Sequence, residues 1–365
     1  MRRTVVSLLV VVACATPIAQ DTATDFARWD VLDREGRLTR YLGRQSLFLD
    51  RGIALMPDVL FADGTIEFDV ALHGQFGFAG VLFRAATPDD YELIYLRTHR
   101  SRQWDALQYT PIDRGQESWQ IYAGAGYNAA AELPVNRWVH VRVVVDGYSA
   151  LVFVDGAATP QLTVRDLKRD WGPGRVGLWG RSGAANFSNV KVTPVDRPRP
   201  TRSTAAADPG IVTRWSISQS LAARTVDFSN LPAALTFEPV SAEASGLVNI
   251  AQYRSPAAAR PANDDGRNVV FAKAVLRAPR ALRARVSIGF SDDVIVFLDG
   301  RPLFAGRSGY LFRDGSDLGT LTLGADVLYI DFTPGRHDLV FAVVEAFGGW
   351  GIVAKIEDAP ELIFE

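Results

Sequence analysis

The stretch of sequence between residues 91 and 122 concentrates the side-chain types that bind sugars in proteins. In the segment YELIYLRTH, the alternation of a β-strand places Tyr95, Arg97 and His99 on one face. The segments QWDALQYTP and ESWQIY then add further aromatic and hydrogen-bonding groups. Aromatic rings pack against the C–H faces of a sugar ring, and planar polar side chains bind its hydroxyls. We predict that one ligand-binding surface is bordered by Tyr95, Arg97, His99, Asp105, Gln108 and Tyr122.

The same residues have a structural alternative. Aromatic side chains are enriched in β-strands because they fit a half-buried, pleated surface. Trp104, Trp119 and Tyr122 could therefore be core residues of a sandwich, with Arg97 an ordinary surface charge. The sequence leaves both interpretations open.

The elements that must position these groups are short β-strands. The chain is made of runs rich in Val, Ile, Phe, Tyr and Trp, broken by Gly, Asp, Asn and Pro at intervals of roughly 8–12 residues, which is typical of all-β sandwiches. The segment at 196–210, DRPRPTRSTAAADPG, has no apolar period and reads as a linker. We predict an all-β fold of two antiparallel jelly-roll sandwiches, at 24–195 and 211–360, joined by this proline-containing linker.

The composition excludes some classes of partner. The chain of 365 residues has a formal net charge of −2, with 48% hydrophobic and 22% charged residues. This balance is that of an ordinary globular protein, and it gives no electrostatic footprint for nucleic acid or for an anionic membrane surface. We therefore predict no nucleic-acid partner.

The N-terminus, MRRTVVSLLVVVACATPIAQ, has the pattern of an export signal at residues 1–20. Two arginines precede an apolar stretch about half as long as the ~20 residues that a membrane-spanning helix needs. We predict an exported protein, located in the periplasm, at the cell surface or outside the cell. Cleavage at Ala13-Cys14-Ala15 and a loose lipobox ending at Cys14 both fit, so a lipid on Cys14 is the one predicted route to membrane anchoring.

One hairpin carries a resemblance to a known superfamily. The segment WVHVRVVVDGYSALVFVDG, with a Trp-led strand and two Asp-Gly turns, resembles the signature hairpin of laminin-G-like domains in the concanavalin A-like lectin/glucanase superfamily. The ending GRVGLWG…ANFSNVKV resembles a bacterial group related to family 16 glycoside hydrolases and labelled 3-keto-disaccharide hydrolase. The resemblance implies a jelly roll over most of 24–193. It does not decide the activity, because lectins, enzymes and adhesion modules share this fold.

The second half resembles galactose-binding-like jelly rolls and the sugar-binding module of the anthrax protective-antigen type. The segments that carry this resemblance are SDDVIVFLDGRPLF and FTPGRHDLVFAVVEAFGGWGIVAKI. It implies an accessory binding or interface domain. Trp350 in FGGWGI could be an exposed platform or a core residue, and we favour the core.

The resemblance to family 16 also defines what catalysis would require. Retaining glycosidases place two carboxyl groups about 5–5.5 Å apart across the glycosidic bond. The family carries its second glutamate two or three residues after the aspartate of a Glu-x-Asp strand; here Glu67 and Asp69 are followed by Ala71 and Leu72. We therefore expect no catalysis of that type and a solvated acidic face on this strand. Were the chain an enzyme, Glu92 and Asp105 would be the pair we nominate.

No metal site is predicted from the sequence. The four histidines show no zinc-binding motif and have no cysteine partner. We expect no cofactor, with calcium bound by loop carboxylates as the alternative; Asp63, Asp292 and Asp293 are the candidates.

Together these observations predict an exported, non-catalytic carbohydrate-binding or adhesion protein whose partner is a saccharide or a cell-surface glycan. Two alternatives stay open. One is a saccharide-active hydrolase of the 3-keto-glycoside type, which the resemblance implies. The other is a structural scaffold that binds protein partners.

Overall fold

The computed structural model of the protein describes residues 25–365 with the exception of 75, 184, 203–205, 259–260 and 262–263. The predicted export signal and Cys14 lie outside the described residues. Almost all regular structure is β, as the spacing of the apolar runs predicted. The helices in the described ranges are four 3₁₀ turns of three residues, Phe26–Arg28, Thr98–Arg100, Ala223–Thr225 and Ile250–Gln252.

The first sandwich contains the first 15 strands of the chain. Their bounds are β1 (Asp30–Asp33), β2 (Arg37–Tyr41), β3 (Arg44–Leu49), β4 (Gly52–Phe61), β5 (Asp63–Leu72), β6 (Phe78–Thr87), β7 (Asp90–Arg97), β8 (Leu107–Asp113), β9 (Gln116–Glu117), β10 (Asn128–Ala129), β11 (Trp138–Asp146), β12 (Ser149–Val154), β13 (Leu162–Val164), β14 (Gly174–Arg181) and β15 (Ala185–Val195).

These strands form two antiparallel sheets. The eight-stranded sheet has the order β1-β4-β14-β6-β7-β8-β10, with β9 paired to β8, and the seven-stranded sheet has the order β13-β12-β11-β5-β15-β3-β2. Strand alternation explains how they pack. In β11, for example, Val139, Val141, Val143 and Val145 are buried in the shared core, while the residues between them are exposed or half-buried.

The second sandwich contains the remaining 12 strands. Their bounds are β16 (Arg214–Ile217), β17 (Leu221–Ala222), β18 (Glu238–Ser241), β19 (Val248–Asn249), β20 (Asn268–Ala278), β21 (Leu282–Ser291), β22 (Asp293–Leu298), β23 (Arg301–Arg307), β24 (Asp326–Phe332), β25 (Gly335–Glu345), β26 (Gly351–Ile356) and β27 (Ile363–Phe364).

Two antiparallel sheets again enclose a core. One has the order β18-β16-β20-β25-β22-β23, with β17 and β27 paired to β20, and the other has the order β19-β26-β21-β24. Trp350 lies in this core, fully buried, and its indole Nε1 donates to the Val343 carbonyl at 3.1 Å. The prediction that it is a core residue is confirmed.

The chain has three Asp-Gly pairs where the strands β11, β12 and β22 end, and two of them form the turn themselves. Asp299 and Gly300 have φ values of 50° and 81° and close the two-residue hairpin between β22 and β23, and Asp155 and Gly156 also have positive φ. Asp146 instead ends its strand, and the turn is made by the two residues after it. Asp-Gly favours such turns because both residues tolerate positive φ.

The described part of the predicted linker packs against the first sandwich. The Arg202 guanidinium donates to the Asp166 carboxylate and to the Leu167 carbonyl, both at 2.7 Å, and lies 4.0 Å from the centre of the Tyr148 ring. The domain boundaries themselves stay predictions. In the described part of the chain, no helix has the length and apolar character needed to cross a membrane.

Candidate functional site

The outer face of the eight-stranded sheet is apolar rather than charged. In β7, Tyr91, Leu93 and Tyr95 point outward, whereas Ile94 and Leu96 point into the core between the sheets. The outward residues join buried residues of neighbouring strands in a separate cluster: Ile53, Leu55, Leu82, Ala85, Tyr91, Leu93, Tyr95, Ile112 and Trp179. A sheet face of this kind needs a cover, and a neighbouring part of the chain or a ligand can provide it.

A cavity of about 270 Å³ lies on this face. Its volume is just below the ~300–1,000 Å³ typical of small-molecule sites. The lining residues are Phe76, Phe78, Leu93, Tyr95, Arg97, His99, Glu117, Trp119, Trp179, Arg181, Ser182, Tyr310 and Phe347. Most of them are aromatic, and we refer to this space as the aromatic cavity.

A cross-strand row around a glycine forms one part of its floor. Trp179 in β14 is paired with Gly80 in β6, and Gly80 is paired with Tyr95 in β7. Because Gly80 has no side chain, the two rings approach each other above it, with their centres 5.4 Å apart. A Cβ atom at Gly80 would lie 2.2 Å from the Ile94 carbonyl oxygen, so the close approach of the strands also requires glycine here.

The next row on the same face is cationic at both ends. Arg181, Phe78 and Arg97 are paired across the same three strands. Each arginine has a carboxylate partner: Arg181 is paired with Glu117, and the Arg97 Nη1 atom donates to Asp105 at 2.7 Å. The cavity therefore combines aromatic surface with hydrogen-bonding groups in a fixed register.

Buried polar residues behind the cavity hold these groups in place. The Tyr95 hydroxyl donates to the side-chain Oε1 atom of Gln108 at 2.9 Å, and the Arg97 Nη1 atom donates to the same oxygen at 3.3 Å. The Gln108 amide in turn donates to the Trp119 carbonyl at 3.2 Å. Asp105, which has no exposed surface, accepts hydrogen bonds from both Arg97 and Arg100. Such supporting contacts fix the orientation of binding groups before a ligand arrives.

Burial sets the protonation states in the cavity. It raises the pKa of the Tyr95 hydroxyl far above its ordinary value. Burial, together with the positive charges of Arg97 and Arg100, lowers the pKa of His99 to about 4. At neutral pH the tyrosine is therefore protonated and the imidazole is neutral, so neither adds a charge to the site.

The second sandwich supplies one wall of the aromatic cavity. Tyr310 and Phe347 are both nearly half exposed, and they pack edge-on against Trp119 with ring centres 6.3 and 5.9 Å away. Backbone hydrogen bonds hold this wall against the first sandwich. The Gln120 N–H donates to the Gly348 carbonyl at 2.9 Å, and the Leu321 N–H donates to the Gln120 carbonyl at 2.8 Å.

The structure brings five of the six predicted site residues together. Tyr95, Arg97 and His99 line the cavity, and Asp105 and Gln108 lie directly behind it. The indole of Trp119, which the sequence left open between site and core, also lines it, while Trp104 is half exposed outside it.

Tyr122 lies elsewhere. Its buried ring packs in a cluster between the two sandwiches with Ile121 and Leu247, and its hydroxyl donates to the Glu243 carboxylate at 2.5 Å. The Lys168 ammonium lies 4.8 Å from the centre of the same ring. Tyr122 is therefore a contact between the sandwiches, and we leave it out of the site.

The nominated catalytic pair, Glu92 and Asp105, does not share a cleft. Strand alternation turns Glu92 toward the interior of the sandwich, where the Tyr109 hydroxyl and the Arg169 N–H donate to it at 2.7 and 3.0 Å. Burial raises the pKa of this carboxyl. Asp105 is enclosed behind the opposite face by its two arginines. Neither carboxylate lines the cavity, so neither is placed to reach a substrate there.

Glu67 and Asp69 lie on the outer side of the seven-stranded sheet, but the predicted solvated acidic face is only partly present, because Asp69 is buried and Glu67 is half-buried. Asp69 accepts hydrogen bonds from Arg44 at 2.5 Å and Asn189 at 2.7 Å, and the His140 Nδ1 atom lies 2.8 Å from it. Ala71 is buried beside the pair on the same strand. These charges are satisfied by neighbours on the sheet surface.

Among the described residues, no group of three or more His, Cys, Asp or Glu side chains is arranged to hold a metal ion. Two of the aspartates named for calcium use their oxygens within the protein. Asp63 accepts from Arg84, the Gly147 N–H and the Trp171 indole. Asp292 accepts from the N–H groups of two residues in the loop after β25.

Sequence reasoning missed lining residues from other segments of the chain, which are Phe76, Phe78, Trp179, Arg181, Tyr310 and Phe347, and it did not single out Glu117 within the segment ESWQIY. One signal for two of them was present. The segment GLWGR places an aromatic residue and an arginine two positions apart, as YLR does in β7. Two strands with this pattern on one sheet face could have indicated a shared site.

Comparison with known proteins supports the architecture of the first sandwich. The family model of 3-keto-alpha-glucoside-1,2-lyase-like domains matches residues 23–193. Together with the two antiparallel sheets described above, this match supports a domain of the concanavalin A-like lectin/glucanase type for the first sandwich. The match does not extend to the second sandwich, whose resemblance to galactose-binding-like domains stays a prediction. No curated protein matches the chain.

Solved structures match this chain at low sequence identity and low TM-score. The carbohydrate-binding module CBM66 from Bacillus subtilis is 17% identical with a TM-score of 0.37, over 47% of this chain and 98% of that chain. A Bacillus subtilis protein of unknown function with a galectin-like fold is 15% identical with a TM-score of 0.35, over 50% and 100% of the two chains. The galectin LEC-6 of Caenorhabditis elegans is 14% identical with a TM-score of 0.29, over 44% and 99%.

Proposed function

We propose that the protein binds a carbohydrate in the aromatic cavity, as a non-catalytic binding or adhesion protein exported from the cell. The observation that carries this proposal is the pair of rows on the outer sheet face. Tyr95 and Trp179 close over Gly80, and Arg97 and Arg181 flank them in the next row.

This arrangement suits the two surfaces of a sugar ring. The rings of the lining residues offer apolar platforms for C–H groups, and arginine donors offer partners for hydroxyl oxygens. The side-chain hydrogen bonds that Arg97 makes to other described residues come from its Nη1 atom. Its Nη2 group is thus left available to a ligand. A fixed set of donors beside aromatic surface is the arrangement typical of small-molecule sites.

We propose that the protein does not hydrolyse its ligand, because the candidate carboxylates cannot reach a sugar in the aromatic cavity. Glu92 and Asp105 are fully buried and hydrogen-bonded away from the cavity, and the lining carboxylate Glu117 is paired with Arg181. A glycosidase needs one carboxyl group as acid and another as nucleophile or base across the bond. One paired glutamate does not meet that requirement.

A second candidate, elimination from a 3-keto-glycoside, is favoured by the family match at 23–193. In such a reaction a base removes the C2 proton, which the neighbouring ketone acidifies, and the aglycone leaves C1 with its electron pair as the C1–C2 double bond forms. This chemistry needs one base rather than two carboxylates. The lining groups able to accept a proton are Glu117 and the neutral imidazole of His99.

A glycan array followed by calorimetric titration tests the binding proposal. We expect the wild-type protein to bind a defined set of glycans and Phe76→Ala to weaken that binding about tenfold. Phe76 lines the cavity and is 58% exposed, so its truncation leaves the core intact. Trp104→Ala is the matched control, because Trp104 is 48% exposed and does not line the cavity.

An assay on 3-keto-disaccharides separates the two candidates. Binding without turnover supports the first, and release of the aglycone with an unsaturated product supports the second. If the protein neither binds any glycan nor turns over any keto-disaccharide, both are wrong and a scaffold that binds protein partners is favoured.

A further inference from the structure

The aromatic cavity has two walls that come from different sandwiches. The first wall is the outer face of the eight-stranded sheet, where Phe78 packs edge-on to tilted against Tyr95, His99 and Trp179 with ring centres 5.1–6.5 Å apart. The second wall consists of Tyr310 and Phe347, whose ring centres lie 5.8 Å apart at 79°. The sequence pattern at 91–122 predicted residues of the first wall and none of the second.

The second wall is held in place by one buried residue of the second sandwich. The Asp292 carboxylate accepts hydrogen bonds from the N–H groups of Ala346 at 2.7 Å and Phe347 at 3.2 Å. The Asp292 carbonyl accepts from the Ser308 N–H at 2.6 Å, two residues before Tyr310. Both segments that carry the wall are therefore anchored to the same position, and Asp292 acts as a positioning residue.

The attachment of this wall to the first sandwich is equally direct. The fully buried Gln120 lies between the two segments. Its amide donates to the Leu318 carbonyl at 3.0 Å, and its backbone bonds to Gly348 and Leu321. Gly319 and Gly348 give it room, because a Cβ atom at either would come within 2.5 Å of the Gln120 side chain. The two walls thus face each other in a fixed geometry.

A fixed second wall limits what can enter. A long polysaccharide that runs along an open sheet face needs a groove, whereas this cavity of about 270 Å³ is bounded on the side of the second sandwich. Its volume is below the usual range for ligands of drug size. These dimensions favour the end of a glycan, with one ring inserted between the walls.

The charges in the cavity select against an acidic ring. Arg97 and Arg181 are the cationic residues in the lining, and each is already paired, with Asp105 and Glu117 respectively. Arg100, the second partner of Asp105, does not line the cavity. A carboxylate or sulfate on the ligand would meet arginines whose charges are already balanced by carboxylates, and the lining Glu117 would repel it, whereas a neutral hydroxyl needs only the hydrogen-bond donor at Arg97 Nη2.

We infer that the aromatic cavity binds a single neutral sugar ring at the terminus of a glycan, between Tyr95 and Trp179 of the first sandwich and Tyr310 and Phe347 of the second. This inference rests on the proposed carbohydrate-binding function. Beyond that function, the inference specifies the size and charge of the ligand and includes residues of the second sandwich in the site.

The test uses the full chain and small defined probes. The neutral probes are the methyl glycosides of glucose, galactose and mannose, and the charged probes are the methyl glycosides of glucuronic and galacturonic acid. Saturation-transfer NMR and calorimetry give the affinities. We expect at least one neutral glycoside to bind and its uronic counterpart to bind about tenfold more weakly or worse.

Variants of the second wall test its role. Phe347→Ala and Tyr310→Ala are each expected to weaken binding of the neutral glycoside about tenfold, while Phe347→Tyr retains it. Phe312→Ala is the matched control, since Phe312 is 49% exposed near the same wall and does not line the cavity. Thermal unfolding of each variant confirms that the chain is folded.

The outcomes separate this inference from the proposed function. If the array shows glycan binding but no methyl glycoside binds, or a uronide binds as tightly as its neutral counterpart, the inference is wrong and the proposed function stands. The same holds if Phe347→Ala and Tyr310→Ala bind like the wild type. If no glycan binds at all, both are wrong.

Discussion

The two outer faces of the first sandwich are built by the same strand alternation and satisfy their side chains in opposite ways. On the seven-stranded sheet, Asp69 is surrounded by Arg44, His140 and Asn189, and the two ionisable partners are about 40% exposed. On the eight-stranded sheet, the ion pair of Arg97 and Asp105 is almost completely buried beneath aromatic residues. The partners of Asp69 are thus in contact with solvent, whereas the ion pair of Arg97 and Asp105 is not.

The difference shows where a site can arise on a sandwich. A charged face whose groups pair with one another needs no further partner. An aromatic face leaves apolar surface that must be covered, and here the second sandwich covers only part of it. The uncovered part is the aromatic cavity, lined on the sheet side by Tyr95 and Trp179. The Glu-x-Asp motif, which resembles part of a glycosidase active site, lies on the seven-stranded sheet, where its charges already have partners.

The largest expected effect is on stability and compares one aspartate from each face. Asp105→Asn removes the partner of a buried arginine, which typically costs about 3–5 kcal/mol of unfolding free energy. Asp69 is also largely buried, but its partners Arg44 and His140 are 40% and 45% exposed and stay hydrated when the carboxylate is lost, so Asp69→Asn should cost less, about 1 kcal/mol. Urea denaturation of both variants at pH 7 measures the two losses.

Both substitutions keep the size and shape of the side chain, so the two variants differ only in where a charge is lost. Equal losses of unfolding free energy in the two variants would contradict the claim that the faces satisfy their charges differently.

The next effect is on glycan binding and again uses one aromatic residue from each face. Phe78 lies between the two arginines of the cationic row, and Phe78→Ala should weaken binding of an array-selected glycan about 30-fold, or about 2 kcal/mol. Trp138 lies on the seven-stranded sheet, where the Arg44 guanidinium is 5.1 Å from its ring centre. Trp138→Ala should leave binding unchanged, and a loss comparable to that of Phe78→Ala would place the ligand on the wrong face.

The smallest effect is a pH dependence that follows from the lowered pKa of His99, about 4 in the folded protein. The unfolded chain binds a proton at this residue below about pH 6.5, whereas the folded chain does not until about pH 4. Stability should therefore fall as the pH drops from about 6.5 to 4, and His99→Gln should reduce that fall. His337 in the second sandwich has a raised pKa, because Thr333 and Asp299 accept its hydrogen bonds, and contributes with the opposite sign.

NMR titration of the histidine ring protons checks these pKa directions. An His99 that titrates near pH 6.5 would contradict the burial of its ring in the cavity lining. Protonation of His99 should not change glycan affinity between about pH 5.5 and 8, because its imidazole is neutral throughout that range.

Much of this comparison could be predicted from the sequence, and the missing part has a physical reason. Alternation within one strand is local, so Tyr95 and Arg97 could be assigned to one face of β7 without any structure. His99 was assigned to the same strand face, but it lies in the 3₁₀ turn Thr98–Arg100 after the strand, from which it still lines the cavity.

Pairing between strands is not local: Trp179 reaches the site because β14 lies beside β6, nearly 100 residues earlier in the chain. Tyr310 and Phe347 come from the second sandwich, more than 200 residues after β7 begins, so no local sequence pattern could have predicted their place in the site.

Burial was the other quantity that the sequence could not give. Tyr95 and Arg97 were assigned to a ligand-binding surface, but both are almost fully buried. Their truncation would disturb the sheet as well as the site, which is why the exposed residues Phe76 and Phe347 are better probes. Tyr122 has the right chemistry for a sugar site, but the docking of the second sandwich places it in an interface instead.

The most direct test of the central claim is a crystal structure of the full chain with an oligosaccharide selected on the array. We predict electron density for a sugar ring in the aromatic cavity, stacked on Tyr95 or Trp179 and within hydrogen-bond distance of Arg97. A sugar bound to the outer face of the seven-stranded sheet, or to the second sandwich alone, would contradict the claim that the aromatic cavity is the carbohydrate site.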